Sequence, residues 1–443
     1  MTAPSSASGA TPAPKPRRPF YGWYLVAAGS GIQLLVGALI EQSFGGYAAA
    51  LTREYGWSRS ALSGVYSVSR LLAGVLGPPQ GWLLDRYGPR AVMRFGLVMF
   101  ALGFMAFSQL NSLTMFYLTF TVMTLGASLG GFISIAVAVV NWFDRYRARA
   151  LGIAFIGYAA GGLIAPAVIL AITRDWRFTA FGSGLVILLL GLPLTLFMHR
   201  RPEEIGLHVD GLAPDEAAAR RDHDVVEGRL ESTSTTTDFT AREALRTRAF
   251  WMIASGHGSS LVVVSAVQVH LFLHLTGSLR YTDGAAAAVI GLMTSLQIGG
   301  QLVGGYLGDR VSKRAVVVVC MAGHAIALLL LGQAANAPTV IAFALLHGFA
   351  WGVRGPLMAA LNADYFGRTS FGSIFGVSTM IVTIGLIAGP LIAGVLYDHT
   401  GSYAAGFTVT AVIAALGSIF FVLATRPMPP PRIVVSAVPD REK

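Results

Sequence analysis

A chain of 443 residues that is 54% hydrophobic and only 12% charged, with a mean hydropathy of +0.62, has too much apolar surface for a water-soluble core to hide. A net charge of +10 would fit a nucleic-acid binder, but the basic residues are scattered between apolar runs, which excludes nucleic acid and leaves a membrane protein with positive loops. The single cysteine, Cys320, lies inside an apolar run and excludes a disulfide framework or a cysteine metal cluster; no metal or cofactor is expected.

Residues 1–20 are rich in proline and small or charged residues, contain no apolar signal-peptide core, and read as a disordered tail. Residue 21 begins the first of twelve apolar runs, each near the twenty residues or so that cross a lipid core. Six of them, at 21–49, 60–84, 91–110, 114–141, 149–172 and 178–198, fill a first bundle over 21–198. The polar stretch 199–248 cannot cross a membrane and reads as a flexible linker. Near its end, Thr240-Ala-Arg-Glu243 has capping-box spacing and predicts a short helix. Six more runs, at 250–276, 284–308, 315–332, 338–362, 371–397 and 403–425, make a second bundle over 249–425, and 426–443 is a second tail. The expected fold class is an all-α membrane protein, twelve transmembrane helices in two six-helix bundles. With both termini in the cytoplasm, that side holds 25 of the 32 lysines and arginines, against Arg53, Arg59, Arg174, Arg177 and Arg280 on the other, so the positive-inside rule places both termini inside.

The two bundles are duplicates. Gly81-Trp-Leu-Leu-Asp85-Arg86-Tyr-Gly88-Pro-Arg90 recurs as Gly305-Tyr-Leu-Gly-Asp309-Arg310-Val-Ser-Lys313-Arg314. The step from Gly81 to Gly305 is also the step from Gly161…Pro166 to Gly385…Pro390, so one repeat offset relates both pairs. Internal repeats of this size in an apolar chain mark a secondary transporter. Asp85 is a carboxylate at the cytoplasmic mouth, able to meet basic side chains and a helix N-terminus. Gly81, Asp85, Arg86, Arg90, Gly305, Asp309, Arg310 and Arg314 are therefore assigned to gating. The bland alternative is that the arginines only enforce topology.

Charge in hydrocarbon costs at least ~2.5–3.5 kcal/mol, so ionisable residues within a span tend to face a cavity and act there. Arg354 lies mid-span in Trp351-Gly-Val-Arg-Gly-Pro356, where glycine and proline are expected to loosen the helix. Its guanidinium suits bidentate capture of a carboxylate. Arg70, in the second run, is a second anion contact or a partner for Glu41. Glu41, the carboxylate deep in a span, reads as a proton carrier, with a salt bridge to a second- or seventh-span group as the rival. His270 and His274 share a face of span seven, where His257 also lies; His347 shares a face with Arg354, while His324 reads as packing. The candidate substrate contacts are Arg354, Arg70, His270, His347 and Gln301, with Glu41 for proton coupling. Asn141, Asn362 and Asp364 end spans four and ten and are placed at the gate. No P-loop, nucleophile elbow or His-Glu-x-x-His occurs, so neither ATP-driven transport nor an enzyme is expected.

Twelve spans, the six-plus-six repeat and Gly-x-x-x-Asp-Arg-x-Gly-x-Arg between spans two and three resemble the major facilitator superfamily, which implies two six-helix bundles rocking about a central cavity. Tyr21-Gly22-Trp23 looks like the opening motif of the monocarboxylate transporter family and its bacterial relatives, which include oxalate–formate antiporters. Phe143-x-x-x-Arg147-x-Arg149-x-x-Gly152-x-Ala154-x-x-Gly157-x-x-x-Gly161 keeps the basic cluster and glycine spacing of that family's second signature. Two positions depart from the pattern. Glu41 stands where animal members often carry a lysine, and Gln301 where the family carries an arginine before the Asp-Arg pair. The resemblance implies a monomeric, multi-pass transporter of the bacterial inner membrane that moves a small organic anion by proton symport or anion exchange. An exporter of drug-like or neutral compounds is the alternative, and a non-transporting membrane sensor is the reading from another class, against which the duplicated gate argues.

Overall fold

The computed structural model of the protein describes residues 19–212 and 238–428, so nearly all of both tails and the middle of the linker lie outside the described residues. Lipid offers no partner to a backbone N–H or C=O, and the apolar runs accordingly become helices that satisfy these groups internally. In chain order they are α1 (Gly22–Tyr55); α2, two abutting helices (Arg59–Val75 and Gly77–Tyr87); α3 (Pro89–Phe107); α4 (Leu113–Trp142); α5 (Arg147–Arg174); α6 (Trp176–Phe197); α7 (Arg248–Ser278); α8 (Asp283–Gly308); α9 (Lys313–Gly332); α10 (Ala337–Phe366); α11 (Phe371–Thr400); and α12 (Tyr403–Leu423). All except α2 are single segments long and apolar enough to cross a membrane, eleven in all among the described residues. The split in α2 follows from Gly77-Pro78-Pro79, whose prolines have no N–H to give and clash with the preceding turn. Side-chain oxygens of Ser112, Asp175, Thr247, Thr282, Ser312, Asn336 and Ser402 cap α4, α6, α7, α8, α9, α10 and α12. The expected capping box forms at Thr240 and Glu243 and starts a short helix, Ala241–Leu245.

Two interruptions and one continuity shape the interior. α1 passes through a π-helical turn at Gly37–Glu41, and α4 breaks at Gly131. A Cβ at Gly131 would lie 2.5 Å from the Ala127 carbonyl oxygen, so only glycine fits the bend. The equivalent position in the second half is Gly355, yet α10 runs unbroken from Ala337 to Phe366 with Pro356 inside it. Gly355 and Pro356 therefore do not interrupt this helix, although Pro356, having no N–H, leaves the Gly352 carbonyl without its intrahelical donor. α8 packs closely on the same stretch, with the Gln297 carbonyl 2.1 Å from where a Gly352 Cβ would stand.

Packing repeats the duplication. Within the halves, α1 lies against α5 and α7 against α11; between the halves, α2 lies against α11 and α8 against α5. The two cross-half pairs are equivalents under the repeat offset.

Candidate functional site

The first N–H groups of a helix need partners and favour an anion. α5 and α11 begin without a side-chain cap of their own at Tyr146 and Ser370. The opposite half supplies it. Asp85, near the end of α2, accepts hydrogen bonds from the Gly372 and Ser373 N–H groups at 2.9 and 2.7 Å and from the Ser373 hydroxyl at 2.6 Å. Asp309, just past α8, accepts from the Ala148 and Arg149 N–H groups at 2.9 and 3.3 Å. Donors and acceptors in the two caps are related by the same repeat offset. The glycines of the repeat permit the approach: a Cβ on Gly81 would lie 2.1 Å from the Gly372 carbonyl oxygen, and one on Gly305 2.8 Å from Arg149 Cα. Burial pushes the Asp309 carboxyl up to about 6, against the hydrogen bonds from Ala148 and Arg149 and the charges of Lys313 and Arg149, which lower it.

The other residues that the sequence assigns to gating make their contacts within their own halves. Arg86 lies over the Trp82 and Tyr87 rings, Arg90 near Tyr21 and His199, and Arg310 over the Tyr306 ring at 3.7 Å; Arg314 donates to the Ala424 carbonyl at 3.1 Å. Sequence reasoning missed a further cross-half ion pair. Arg147 donates to Asp364 at 2.6 Å, and Lys313 reaches the same carboxylate at 2.6 Å. Arg368 donates to the Asn141 carbonyl at 3.4 Å. Asn141 and Asp364 thus make contacts between the halves, whereas Asn362 donates within its own helix to Met358. The repeat holds no signal for this ion pair, since under the offset Arg147 falls on Phe371 and Asp364 on Val140; what the offset does carry is the helix caps, taking the donors 148–149 to the donors 372–373.

At mid-membrane the first half carries a closed pair. Glu41 ends the π turn and forms a salt bridge with Arg70, and the Tyr158 hydroxyl of α5 donates to Glu41 at 3.4 Å. The Glu41 side chain is 12% exposed and that of Arg70 33%. The second half carries an open charge. Arg354 is 1% exposed, has no ion pair among the described residues, and neither Nε nor Nη1 finds a hydrogen-bond partner. His257, His324, His347 and Cys320 lie within electrostatic reach. His324 and His347 share a hydrogen bond between their Nδ1 atoms at 3.2 Å, so one donates and the other accepts. His324, expected only to pack, belongs to this cluster; nothing local in the sequence marks it, because the contact joins α9 to α10. Gln301 is buried with its Oε1 unpartnered. His270 is occupied by the Pro390 carbonyl at 3.0 Å and the Tyr403 hydroxyl at 3.3 Å, and His274 by the Leu331 carbonyl at 3.2 Å, contacts that tie α7 to its neighbours.

A family model described as Major Facilitator Superfamily matches residues 31–298 and 262–442. Monocarboxylate transporter 12 of Rattus norvegicus is 26% identical over 90% of this chain and 84% of its own length. The oxalate:formate antiporter of Oxalobacter formigenes is 24% identical over 92% and 91%. Among solved structures, a human organic anion transporter (TETRAN) superposes with a TM-score of 0.68 at 17% identity, covering 91% of this chain and all (100%) of that one. The proton:xylose symporter XylE superposes with a TM-score of 0.73 at 14% identity, covering 91% and 95%. These two likenesses concern the fold.

Proposed function

Because the chain belongs to the major facilitator superfamily, whose members here are transporters and not enzymes, we propose that it carries a small organic anion across the membrane, with Arg354 holding the cargo's negative charge. One observation carries this reading: a guanidinium 1% exposed in an apolar bundle, with no carboxylate of the described chain beside it. Arginine does not shed its proton at physiological pH, and an uncompensated buried charge is costly. A carboxylate cargo would supply the compensation through paired N–H···O bonds. The relatives' names, which speak of monocarboxylates and of oxalate and formate, fit that chemistry.

The route is alternating access. Asp85 and Asp309 tie the halves at the linker end, and in this reading those ties hold that end shut; opening it means releasing both helix caps as the halves rock apart. In this reading the two helices of α2 make one crossing, the twelfth, both termini are cytoplasmic, and a monomer works in a bacterial inner membrane. Glu41 takes up a proton when Arg70 lets go of it, coupling cargo to a proton gradient; anion exchange is the other energy source. Uptake into proteoliposomes of monocarboxylates, dicarboxylates and neutral analogues, with and without a pH gradient, tests the proposal. Accumulation of acids but not of neutral analogues is expected. Transport of neutral or drug-like compounds alone would turn the assignment to an exporter.

A further inference from the structure

We propose that the two ends of the polar linker belong to the gate: Asp210 and Asp238 are positioning residues that pre-aim the backbone N–H groups gripped by Asp309 and Asp85. Asp210 accepts from the Asp144 and Arg145 N–H groups at 3.1 and 2.8 Å, in the loop between α4 and α5. Asp238 accepts from the Arg368 and Thr369 N–H groups at 3.1 and 2.8 Å, in the loop between α10 and α11, and from the Thr369 hydroxyl. The donor pairs 144–145 and 368–369 are again related by the repeat offset. The acceptors are not equivalents, for one precedes and the other follows the middle of the linker. Two unrelated carboxylates have converged on the same place in each half.

A few residues further along each chain are the N–H groups of Ala148 and Arg149, taken by Asp309, and of Gly372 and Ser373, taken by Asp85. Each helix start is therefore held by two carboxylates, one from its own half's end of the linker and one from the opposite half. Both linker contacts are tightly specified. Asp210 adopts a left-handed backbone at φ 59, which a residue other than glycine keeps only where its surroundings over-determine it. A Cβ on Gly367 would stand 1.9 Å from Asp238 Oδ1, and beside it Phe239, 4% exposed, donates its N–H to the Phe366 carbonyl at 2.9 Å.

N–H groups aimed before the gate carboxylate arrives leave little loop entropy to lose when the gate shuts. Neither linker contact crosses between the halves, so both persist when the gate opens. Their effect on closure must then act through Asp309 and Asp85, which gives the test its form. Spin labels at exposed Tyr87 and Val311, one in each half beside the gate, report the separation in the full chain in lipid nanodiscs. Asp210→Gly, which suits the left-handed backbone, and Asp238→Ala should each raise the separated population about fivefold, the scale of one net hydrogen bond. Asp210→Gly should add nothing further in an Asp309→Ala background and its full effect in Asp85→Ala; Asp238→Ala should show the reverse. Asp210→Asn and Asp238→Asn, which keep one acceptor, should give the same pattern at lower amplitude and serve if the stronger variants do not fold. Unchanged distances, or equal effects in both backgrounds, would overturn the proposal and leave the contacts as ordinary loop packing.

Discussion

In the first half the mid-membrane charges cancel within the protein, Glu41 against Arg70; in the second, Arg354 stands with histidines and a cysteine but no carboxylate. The duplicated scaffold makes the contrast readable. Under the repeat offset Glu41 falls on Ser265, Arg70 on Thr294, and Arg354 on Gly130. The helix caps behave in the opposite way, with Asp85 and Asp309 holding equivalent N–H pairs. Symmetry has been kept in the helix caps that tie the halves together and dropped at mid-membrane. Under the proposed function the second half meets the cargo and the first half meets the proton.

Removing one partner of the closed pair should have the largest effect on stability. Arg70→Ala leaves the Glu41 carboxylate, 12% exposed, without its cation, and is expected to destabilise by about 3 kcal/mol, at the low end for an orphaned buried charge. Glu41→Gln leaves Arg70, which at 33% exposed can still be hydrated, and should cost about 1–2 kcal/mol. Denaturation in detergent of both variants checks the order; a costlier Glu41→Gln would break the contrast. In transport, Glu41→Gln should abolish accumulation driven by a pH gradient while sparing substrate exchange, and wild-type accumulation would remove Glu41 from coupling. Asp85→Asn should fold and insert but slow transport by roughly tenfold, since the α11 start loses part of its cap. Full rates in an Asp85→Asn, Asp309→Asn double variant would reduce the repeat to a topology signal.

The smallest effect concerns acidity. The shut gate holds the Asp309 proton at a value pushed up to about 6, whereas an open, hydrated gate lets it return to the ordinary carboxylate value. The shut state thus binds the proton more tightly, so it gains as pH falls through about 6 and gains no more below the ordinary carboxylate range. The label separation followed from about pH 8 to about pH 5 should shift toward the shut state, and a shift the other way would contradict the sign.

The duplication, the gate carboxylates and the mid-span charges were legible because spacing alone reveals them: one offset, one motif, one charge in an apolar run. The Gly77-Pro78-Pro79 break in α2 was written in the sequence but passed over, since a long apolar run invites a single helix. The unbroken α10 was not legible, because the local preference of Gly355 and Pro356 is to interrupt a helix, and close packing against α8 is not encoded locally. The Glu41–Arg70 pair was one of two readings, and choosing it required the π turn that sets where Glu41 lies along α1. His324 beside His347, and Asp210 and Asp238 at the gate loops, depend on contacts between distant segments that no local pattern encodes.

Compensation of Arg354 by the cargo is tested most directly by thermal stabilisation of the purified protein with candidate acids. Wild type is compared with Arg354→Lys, Arg354→Ala and a Glu41→Gln, Arg70→Gln double variant. Acids that are transported should stabilise wild type and the double variant alike, because the first half's pair is already closed. Arg354→Lys should bind more weakly, keeping the charge but losing the planar fork. Arg354→Ala should show no stabilisation, since losing one partner of a buried charged contact costs about 2–5 kcal/mol, enough to take weak binding out of range. Equal stabilisation of wild type and both Arg354 variants would contradict the account; it would move the cargo's charge to Arg70 if the double variant does not respond, and to neither arginine if the double variant responds as well.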